Sequence, residues 1–458
     1  MIRLFNVYYP SRTLVLIVGE AVVVCLSFLA AVFLQLGPDS YIALNYEGGY
    51  MKILGLAGMA MLCAYFYDLY DFQRLPSRGE TYFRLLMQLA TMSFLLAGLA
   101  IVFPSFIVGK GVSLTGLVIL TFALMGWKAV YAWMERQPFL RERVYVLGGG
   151  ERAQKLVHAL RTRHELGMDV VGWVGAMGNG SLTRENLAQF LQPLRDKKAV
   201  DRVIVALSDR RGTMPVRELL DLRLNNVKVE EATDLLEKID GRIAVDELHP
   251  SWLIFSEGFR LKGSMIFRRR VMSWLISALL LLLVLPLLPI IALLIKLTSP
   301  GAVLYKQKRV GRGGKPFYCY KFRTMRADAE ADTGPTWAGD DDPRITKVGR
   351  FLRSTRLDEV PQLWNVFTGD MGFVGPRPER PEFVEWLSRE IPYYNLRHLV
   401  RPGITGWAQI SYQYGASLEE SKEKLQYDLY YMKNISMAFD LYIIFLTIKT
   451  VLFGRGAK

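Results

Sequence analysis

Five long apolar runs constrain this 458-residue chain more than any other feature of its sequence. Four of them lie in the first third, at residues 13–36, about 51–70, about 85–108 and about 111–133. A bilayer core of about 30 Å needs about 20 helical residues, so each run is long enough to cross. The first run is too long for a cleaved signal peptide, whose apolar region has about 7–15 residues. We therefore predict a four-helix transmembrane unit over residues 1–140.

The charges between these runs predict their orientation, because lysine and arginine concentrate in cytoplasmic loops. The first loop has no lysine or arginine, and the third offers only Lys110. The cations gather instead at the N-terminus, in the second loop and after the fourth run, as Arg3, Arg12, Arg74, Arg78, Arg84, Arg136, Arg141 and Arg143. This distribution places both ends of the four-helix unit in the cytoplasm.

A change of pattern predicts a second domain over residues 141–255. The segments RVYVLGGG, VVGWVG and VDRVIVAL are typical of short β-strands and alternate with helical stretches, which indicates a parallel, Rossmann-like α/β sheet. Gly148, Gly149 and Gly150 follow the first strand, but Arg152 and Ala153 stand where GxGxxG needs its last glycine. A structural turn and a nucleotide or anion site both remain open here, and we do not predict NAD use.

The fifth apolar run, residues 271–295, carries positive charge on both sides. Three arginines precede it, and the stretch from Lys296 through Arg326 contains nine lysines and arginines and no acidic residue. Such charge on both flanks contradicts a simple crossing. Pro286 and Pro289 lie within the run, where proline removes a helix hydrogen bond. We predict a re-entrant helix over residues 268–298 that breaks at Pro286 and returns to the same face, with a kinked crossing helix as the alternative.

An adjacent carboxylate pair, Asp358 and Glu359, lies in the cation-rich stretch 344–381. Neighbouring side chains on a helix point in different directions, so the two groups can have different roles. One can attack a phosphoryl group as a nucleophile while the other binds metal or handles a proton. The alternative is an acidic pair at a helix start, favourable to the helix dipole and paired with Arg356.

Two further basic motifs are suited to phosphate. In GPRPERP, Pro376 and Pro378 restrict the backbone around Arg377, and Arg380 follows. Arginine presents a rigid fork of donors that matches phosphate oxygens, although a surface turn explains this motif equally well. The run YKQKRVGRGGKPFYCYKFRTMR, which contains Arg323, is suited to phosphates or to anionic lipid headgroups.

Residues 265–455 resemble the monotopic phosphoglycosyl transferases, a family of bacterial sugar transferases. The resemblance lies in the proline-broken apolar helix and in the motifs YKFRTM, DDPRITKVGRFLRSTRLDEVPQLWNVFTGDMGFVGPRPERP and VRPGITGWAQI. It implies a mixed α/β catalytic domain over residues 256–458. The transmembrane unit and the α/β domain that precede it look like those of the large members of this family.

The resemblance also implies roles for individual residues. Asp358 matches the nucleophile and Glu359 its partner, while Pro286 matches the proline that breaks the re-entrant helix. The site residues implied for the nucleotide-sugar and its phosphates are Arg377 with Pro376 and Pro378, Arg353, Arg323 and Arg380.

The expected reaction moves a sugar-1-phosphate, with glucose or galactose as the sugar, from a UDP-sugar to undecaprenyl phosphate. It releases UMP through an aspartyl-phosphosugar intermediate. Phosphoryl transfer generally demands neutralisation of the phosphates, so we expect Mg²⁺ held by Asp358 and Glu359. The resemblance further implies a homodimer in contact with lipids of the bacterial inner membrane, its catalytic domain on the cytoplasmic face, initiating exopolysaccharide or O-antigen assembly.

Two other functions are compatible with parts of the chain. One is an oxidoreductase or epimerase of nucleotide-sugars that uses residues 143–250. The other is a non-catalytic scaffold or a nucleotide-sensing regulator of polysaccharide export. The net charge of +14 does not predict nucleic-acid binding, because the cations flank membrane segments and form no separate recognition module.

Overall fold

The computed structural model describes residues 1–71, 77–109, 111–174, 184–195, 199–207, 213–248, 258–259, 262–326, 329, 342–412 and 417–452. The chain divides into two compact units. The first contains Met1–Ile2 and Tyr8–Leu235, and the second contains Arg3–Val7 and Leu236–Lys458. Two short strands begin the chain, β1 (Ile2–Leu4) and β2 (Val7–Tyr9).

The first unit opens with helices over all four predicted apolar runs: α1 (Ser11–Leu36), α2 (Ser40–Asn45), α3 (Gly49–Phe66), α4 (Arg78–Val102) and α5 (Val112–Arg136). Among the described residues, five helical segments are long and apolar enough to cross a membrane, four of them here. The chain is therefore a membrane protein. Its orientation and the grouping of these helices as a four-helix unit stay predictions.

The boundaries predicted for the third run were wrong by several residues. Helix α4 begins at Arg78, earlier than the predicted residue 85, because Ser77 caps it by accepting a hydrogen bond from the Glu80 amide at 3.2 Å. It ends at Val102, before the predicted residue 108, and Pro104 opens a 3-10 turn directly after it.

A buried ionic contact joins α1 to α5. Glu20 of α1 is 3% exposed, and its Oε1 lies 2.5 Å from Nζ of Lys128 on α5. The hydroxyl of Tyr70 donates to Oε2 of Glu20 at 2.6 Å. An isolated buried carboxylate would be costly, so this pairing explains how Glu20 is tolerated among apolar helices.

The rest of the first unit is a parallel sheet with helices between its strands: β3 (Glu142–Leu147), α6 (Gly150–Thr162), β4 (Met168–Trp173), α7 (Arg184–Arg195), β5 (Arg202–Val205), α8 (Val216–Leu224), β6 (Lys228–Glu231) and α9 (Ala232–Asp240), which reaches the second unit. The strand order is β4-β3-β5-β6 and every pairing is parallel. This confirms the predicted parallel sheet and its three strands. The sequence analysis missed β6, because its residues KVEE are polar and lie at a sheet edge.

The glycines after β3 form a tight turn. Gly148 has a φ of +138°, and a Cβ atom there would lie 2.5 Å from the carbonyl oxygen of Ala206, the residue that follows β5. Only glycine fits this close approach. The close packing against Ala206 is a structural reason for glycine at position 148, and a nucleotide or anion site at this loop stays a prediction.

The second unit is a mixed α/β structure. Its elements are α10 (Gly263–Val284), α11 (Leu288–Thr298), β7 (Leu304–Val310), β8 (Pro316–Phe322), α12 (Lys347–Ser354), α13 (Gln362–Thr368), β9 (Gly372–Val374), α14 (Pro381–Glu390), β10 (Gly403–Thr405), α15 (Trp407–Ser411), α16 (Leu418–Lys433) and α17 (Met437–Leu452). Strands β7 and β8 form an antiparallel hairpin, and β9 pairs with β10 in parallel. A 3-10 turn, Leu285–Leu287, separates α10 from α11 and contains Pro286.

The core of the second unit includes a segment that precedes the catalytic region. Ile243, Val245 and Leu248 are buried in the same cluster as Trp407, and the Trp407 indole donates to the Gly241 carbonyl at 2.8 Å. Residues 241–248 therefore pack with the second unit, although they lie before the predicted boundary at residue 256. The division into three domains stays a prediction.

One stability prediction concerns Arg202, which is 4% exposed on β5 and bridges two neighbouring strands. Its guanidinium donates to Glu230 of β6 at 2.7 Å and to Glu142 of β3 at 2.7 Å. We expect Arg202→Met to destabilise the sheet by about 3–5 kcal/mol, because it leaves Glu230 buried without this charge partner. Hydrogen exchange of β5 and β6 peptides in the purified full chain measures this loss.

The matched control is Arg143→Met in the same sheet. Arg143 pairs with Asp201, but the two side chains are 43% and 42% exposed. An exposed pair contributes about 0–1 kcal/mol, so its loss should change exchange little. Equal effects of the two substitutions would contradict the role given to Arg202.

Candidate active site

The carboxylate pair lies in a 3-10 turn, Leu357–Glu359, between α12 and α13. Arg356 precedes this turn with a left-handed φ of 60°, which redirects the chain after α12. Asp358 and Glu359 are 7% and 8% exposed. Two adjacent acidic groups therefore sit inside the protein, where each needs a compensating partner.

Glu359 has two cationic partners on one oxygen. Its Oε1 accepts hydrogen bonds from Nζ of Lys321 at 2.8 Å and from the guanidinium of Arg377 at 2.7 Å. Burial raises the pKa of Glu359, but Arg377 and Lys321 outweigh burial and hold that pKa well below its usual range. Glu359 is therefore ionised and fixed in place.

Asp358 has a different environment. No described residue donates a hydrogen bond to its carboxylate. Burial raises the pKa of Asp358 and the charge of Glu359 adds to the rise, whereas Lys321, Arg353 and Arg377 oppose it. The pair is thus divided into one carboxylate that two cations hold and one that accepts no hydrogen bond from the described residues.

Asn365 brings Lys321 to the carboxylate pair. This residue of α13 is fully buried, its Oδ1 accepts from the Tyr320 amide at 3.1 Å, and its Nδ2 donates to the Tyr318 carbonyl at 2.8 Å. These two bonds hold α13, which directly follows the pair, against the edge of β8. The sequence analysis missed Lys321, although it lies in the same YKFRTM motif as Arg323.

Arg377 is positioned by its loop. Backbone bonds join the Gly375 amide to the Thr405 carbonyl at 2.9 Å and the Gly403 amide to the Pro376 carbonyl at 3.0 Å. A Cβ atom on Gly375 would lie 2.3 Å from the Arg401 carbonyl oxygen, so this approach needs glycine. The loop between the two prolines is therefore fixed on β10.

Two more arginines secure this loop from the other side. Arg397 donates to the Arg377 carbonyl at 2.9 Å, and Arg309 donates to the Pro378 carbonyl at 2.9 Å. Arg397 is itself buried and pairs with Asp428 at 2.9 Å. Neither arginine was singled out by the sequence analysis. Both support Arg377 through its backbone.

The structure places the remaining predicted residues as follows. Arg353 lies in the last turn of α12, donates to the Thr324 hydroxyl at 3.0 Å and acts electrostatically on Asp358. Arg323 instead donates to the carbonyls of Ser299 at 2.7 Å and Pro300 at 2.8 Å, where α11 ends. Arg380 immediately precedes α14. The guanidinium of Arg323 therefore binds the end of a membrane helix and makes no hydrogen bond to the pair.

The carboxylate pair fits a partial set of magnesium ligands. Magnesium is commonly held by one or two carboxylates together with phosphate oxygens of the substrate. Asp358 and Oε2 of Glu359 can supply such oxygens, since the two cations engage only Oε1. Within the described part of the chain, no cluster of three or more histidine, cysteine, aspartate or glutamate residues is placed to hold a metal alone.

Known proteins match this region and much of the chain. A family model described as bacterial sugar transferase matches residues 264–454. The chain is 42% identical over 248 residues to a UDP-N-acetylgalactosamine-undecaprenyl-phosphate N-acetylgalactosaminephosphotransferase of Aeromonas hydrophila, a match that covers 53% of this chain and 56% of that protein.

Two relatives match over a larger share of their length. A UDP-glucose:undecaprenyl-phosphate glucose-1-phosphate transferase of Escherichia coli (strain K12) is 35% identical, with 69% of each chain covered. A UDP-galactose-lipid carrier transferase of Erwinia amylovora is 30% identical, with 75% of each chain covered. Together with the geometry of the carboxylate pair, these matches show that the chain belongs to the bacterial sugar transferase family.

Proposed function

We propose that this protein transfers a sugar-1-phosphate from a UDP-sugar to undecaprenyl phosphate and releases UMP. The family and the names of its relatives make the chain a polyprenyl-phosphate sugar-1-phosphate transferase. The observation that supports a covalent route is the division of the buried pair. Glu359 is held by two cations, whereas Asp358 keeps its carboxylate free of hydrogen bonds from the described residues.

In the first step, an oxygen of Asp358 attacks the phosphorus that bears the sugar. A bond forms between the carboxylate and this phosphorus, and the bond to the bridging oxygen breaks with release of UMP. The product is an aspartyl phosphosugar. Lys321, Arg353 and Arg377 favour the ionised form of Asp358 and add positive charge where the diphosphate must lie.

In the second step, a phosphate oxygen of the lipid attacks the same phosphorus. The bond to Asp358 breaks, the carboxylate is restored, and a polyprenyl diphosphate sugar forms. Two easier displacements replace one difficult transfer, and the kinetics should be ping-pong. Magnesium held by Asp358 and Glu359 would neutralise negative charge on the donor diphosphate.

The broken membrane helix is proposed to be re-entrant, with the second unit on the cytoplasmic face of the inner membrane. Within the second unit, the start of α10 is joined to α17 by the ion pair of Arg269 with Asp440 at 2.5 Å. Helix α11 packs against the same unit, since Ile295 lies in a cluster with Leu352 and its end is bound by Arg323. Because both ends of the helical segment contact the same compact unit, these contacts support a re-entrant helix that returns to one face of the membrane. They are less consistent with a kinked helix that crosses it.

The donor sugar and the cellular setting are further proposals. We propose glucose or galactose as the sugar, and the name of the Aeromonas relative adds N-acetylgalactosamine as a third possibility. The product would initiate exopolysaccharide or O-antigen assembly, and the protein would act as a homodimer among membrane lipids. The middle α/β sheet has no assigned role in this reaction.

The assignment of the nucleophile predicts the behaviour of Asp358→Asn. The amide cannot form the acyl phosphate, so we expect UMP release to fall by at least about a thousandfold while the protein stays folded. The assay incubates detergent-purified protein with UDP-sugars, Mg²⁺ and undecaprenyl phosphate. Glu385→Gln is the control, since that carboxylate is 70% exposed on α14. Substantial transfer by Asp358→Asn would contradict the covalent route, and release of UDP would indicate a different transferase class.

A second prediction concerns pH and Lys321. The nucleophile must be ionised, and Lys321 lowers the pKa of Asp358. Its replacement by methionine should raise that pKa, so the acidic limb of the profile of kcat/KM against pH should move to higher pH. Activity at neutral pH should fall by about tenfold or more. Lys315→Met, an exposed position in the turn between β7 and β8, should leave the profile unchanged. A limb that does not move would exclude Lys321 from this role.

A third prediction tests the re-entrant helix. Single cysteines replace the exposed Ser264 and Ala302 in a chain whose Cys25, Cys63 and Cys319 are changed to alanine. A membrane-impermeant thiol reagent should label both positions in inverted inner-membrane vesicles and neither in intact spheroplasts. Labelling of the two positions from opposite faces would establish a crossing helix instead.

A further inference from the structure

A cleft in the second unit collects arginines that the proposed chemistry does not use. It lies between the first turns of α10, the strand β9 and the segment before β10, and it is partly open to solvent. We call it the arginine cleft, after the four arginines that line it: Arg269, Arg270, Arg312 and Arg401. None of the residues of the carboxylate pair or its cationic partners lines this cleft.

Three of the four guanidinium groups have no ion-pair partner in the part of the chain that the structure describes. Arg269 is paired with Asp440. By contrast, no described residue forms an ion pair or accepts a side-chain hydrogen bond from Arg270, Arg312 or Arg401. Converging like charges repel one another unless an anion lies between them. The cleft therefore has the charge distribution of an anion site.

The arginines that line the cleft also act on one another electrostatically. Burial lowers the pKa of Arg401, and the charges of Arg270, Arg312 and Arg269 lower it further, while Asp370 alone among the main contributors opposes them. Asp370 also accepts a hydrogen bond from Thr368 at 3.2 Å. One carboxylate does not balance three cations, so the cleft keeps a net positive charge.

Apart from Ser273 and the backbone of Gly372, the other lining residues of the cleft are apolar. They include Ile266 of α10, Val366 of α13, and Met371, Leu399 and Val400. Helix α10, whose first turns line the cleft, is part of the segment Gly263–Thr298. This segment is long and apolar enough to enter a membrane. A ligand that fits this arrangement has a phosphate at one end and a hydrocarbon chain at the other. Arginine forks bind phosphate oxygens, and basic sites beside membrane helices bind lipid headgroups.

We propose that the arginine cleft binds the phosphate headgroup of a membrane lipid. Arg312 and Arg401 bind its oxygens, Arg270 adds charge at the membrane surface, and the chain of the lipid lies along α10. Two lipids have this chemistry, an anionic glycerophospholipid and the polyprenyl phosphate acceptor, which would bind here first and then move its phosphate to Asp358 for the transfer. The identification with the acceptor rests on the proposed function, whereas headgroup binding does not.

Native mass spectrometry of the full chain in detergent tests the cleft without any sugar donor. The protein is titrated with undecaprenyl phosphate, phosphatidylglycerol or phosphatidylcholine. We expect Arg401→Gln to weaken binding of a phosphate lipid by about tenfold, as the loss of one charge-assisted contact predicts. Arg312→Gln should act similarly, and its exposed position makes misfolding an inadequate explanation. Arg389→Gln is the control, because that side chain is 71% exposed on α14.

Arginine-dependent binding of undecaprenyl phosphate alone would identify the acceptor headgroup, and equal dependence for phosphatidylglycerol would identify a bulk anionic lipid. Unchanged affinity for all lipids in both variants would overturn the proposal. Displacement of the lipid by inorganic phosphate at equally low concentrations would also overturn the proposal. The hydrocarbon chain of the lipid would then contribute nothing to the affinity. Since no transfer is measured, loss of the proposed reaction in the UMP assay leaves this test intact.

Discussion

The active site depends on one interaction, the pairing of the Glu359 carboxylate with Lys321 and Arg377. It joins three parts of the chain, the strand β8, the 3-10 turn before α13 and the loop between the two prolines. A glutamate this buried is tolerated only with such partners, and loss of one partner of a buried pair costs about 3–5 kcal/mol. The same contact distinguishes the two carboxylates, because it engages Glu359, whereas no described residue donates a hydrogen bond to the neighbouring Asp358.

The surrounding chain holds this contact rigidly. Asn365 fastens α13 to β8, Gly375 permits the close approach of the proline-bounded loop to the chain before β10, and Arg397 binds the backbone of that loop. None of these groups reacts. Each restricts the movement of a charged side chain around the carboxylate pair. Charged groups that are fixed in advance stabilise a transition state more strongly than mobile ones.

Positive charge in the second unit is divided between two places. Lys321, Arg353 and Arg377 surround the carboxylate pair, where a soluble diphosphate would react. Arg270, Arg312 and Arg401 line the arginine cleft beside the membrane helix, where a lipid phosphate would lie. These two groups of cations account for part of the net charge of +14, which by itself indicated no particular ligand.

Apolar length and periodicity alone determined the five membrane-compatible segments and the parallel sheet, because these properties are local. Motif resemblance singled out Asp358, Glu359 and Arg377 because these residues lie in one contiguous stretch of the sequence. The tertiary structure decided which cation meets Glu359. Lys321 and Arg323 lie two residues apart in one motif, yet one reaches the carboxylate pair and the other binds the end of α11. The docking of Asn365 on β8 and the binding of Arg323 at the end of α11 produce that difference, and both depend on contacts between residues distant in sequence.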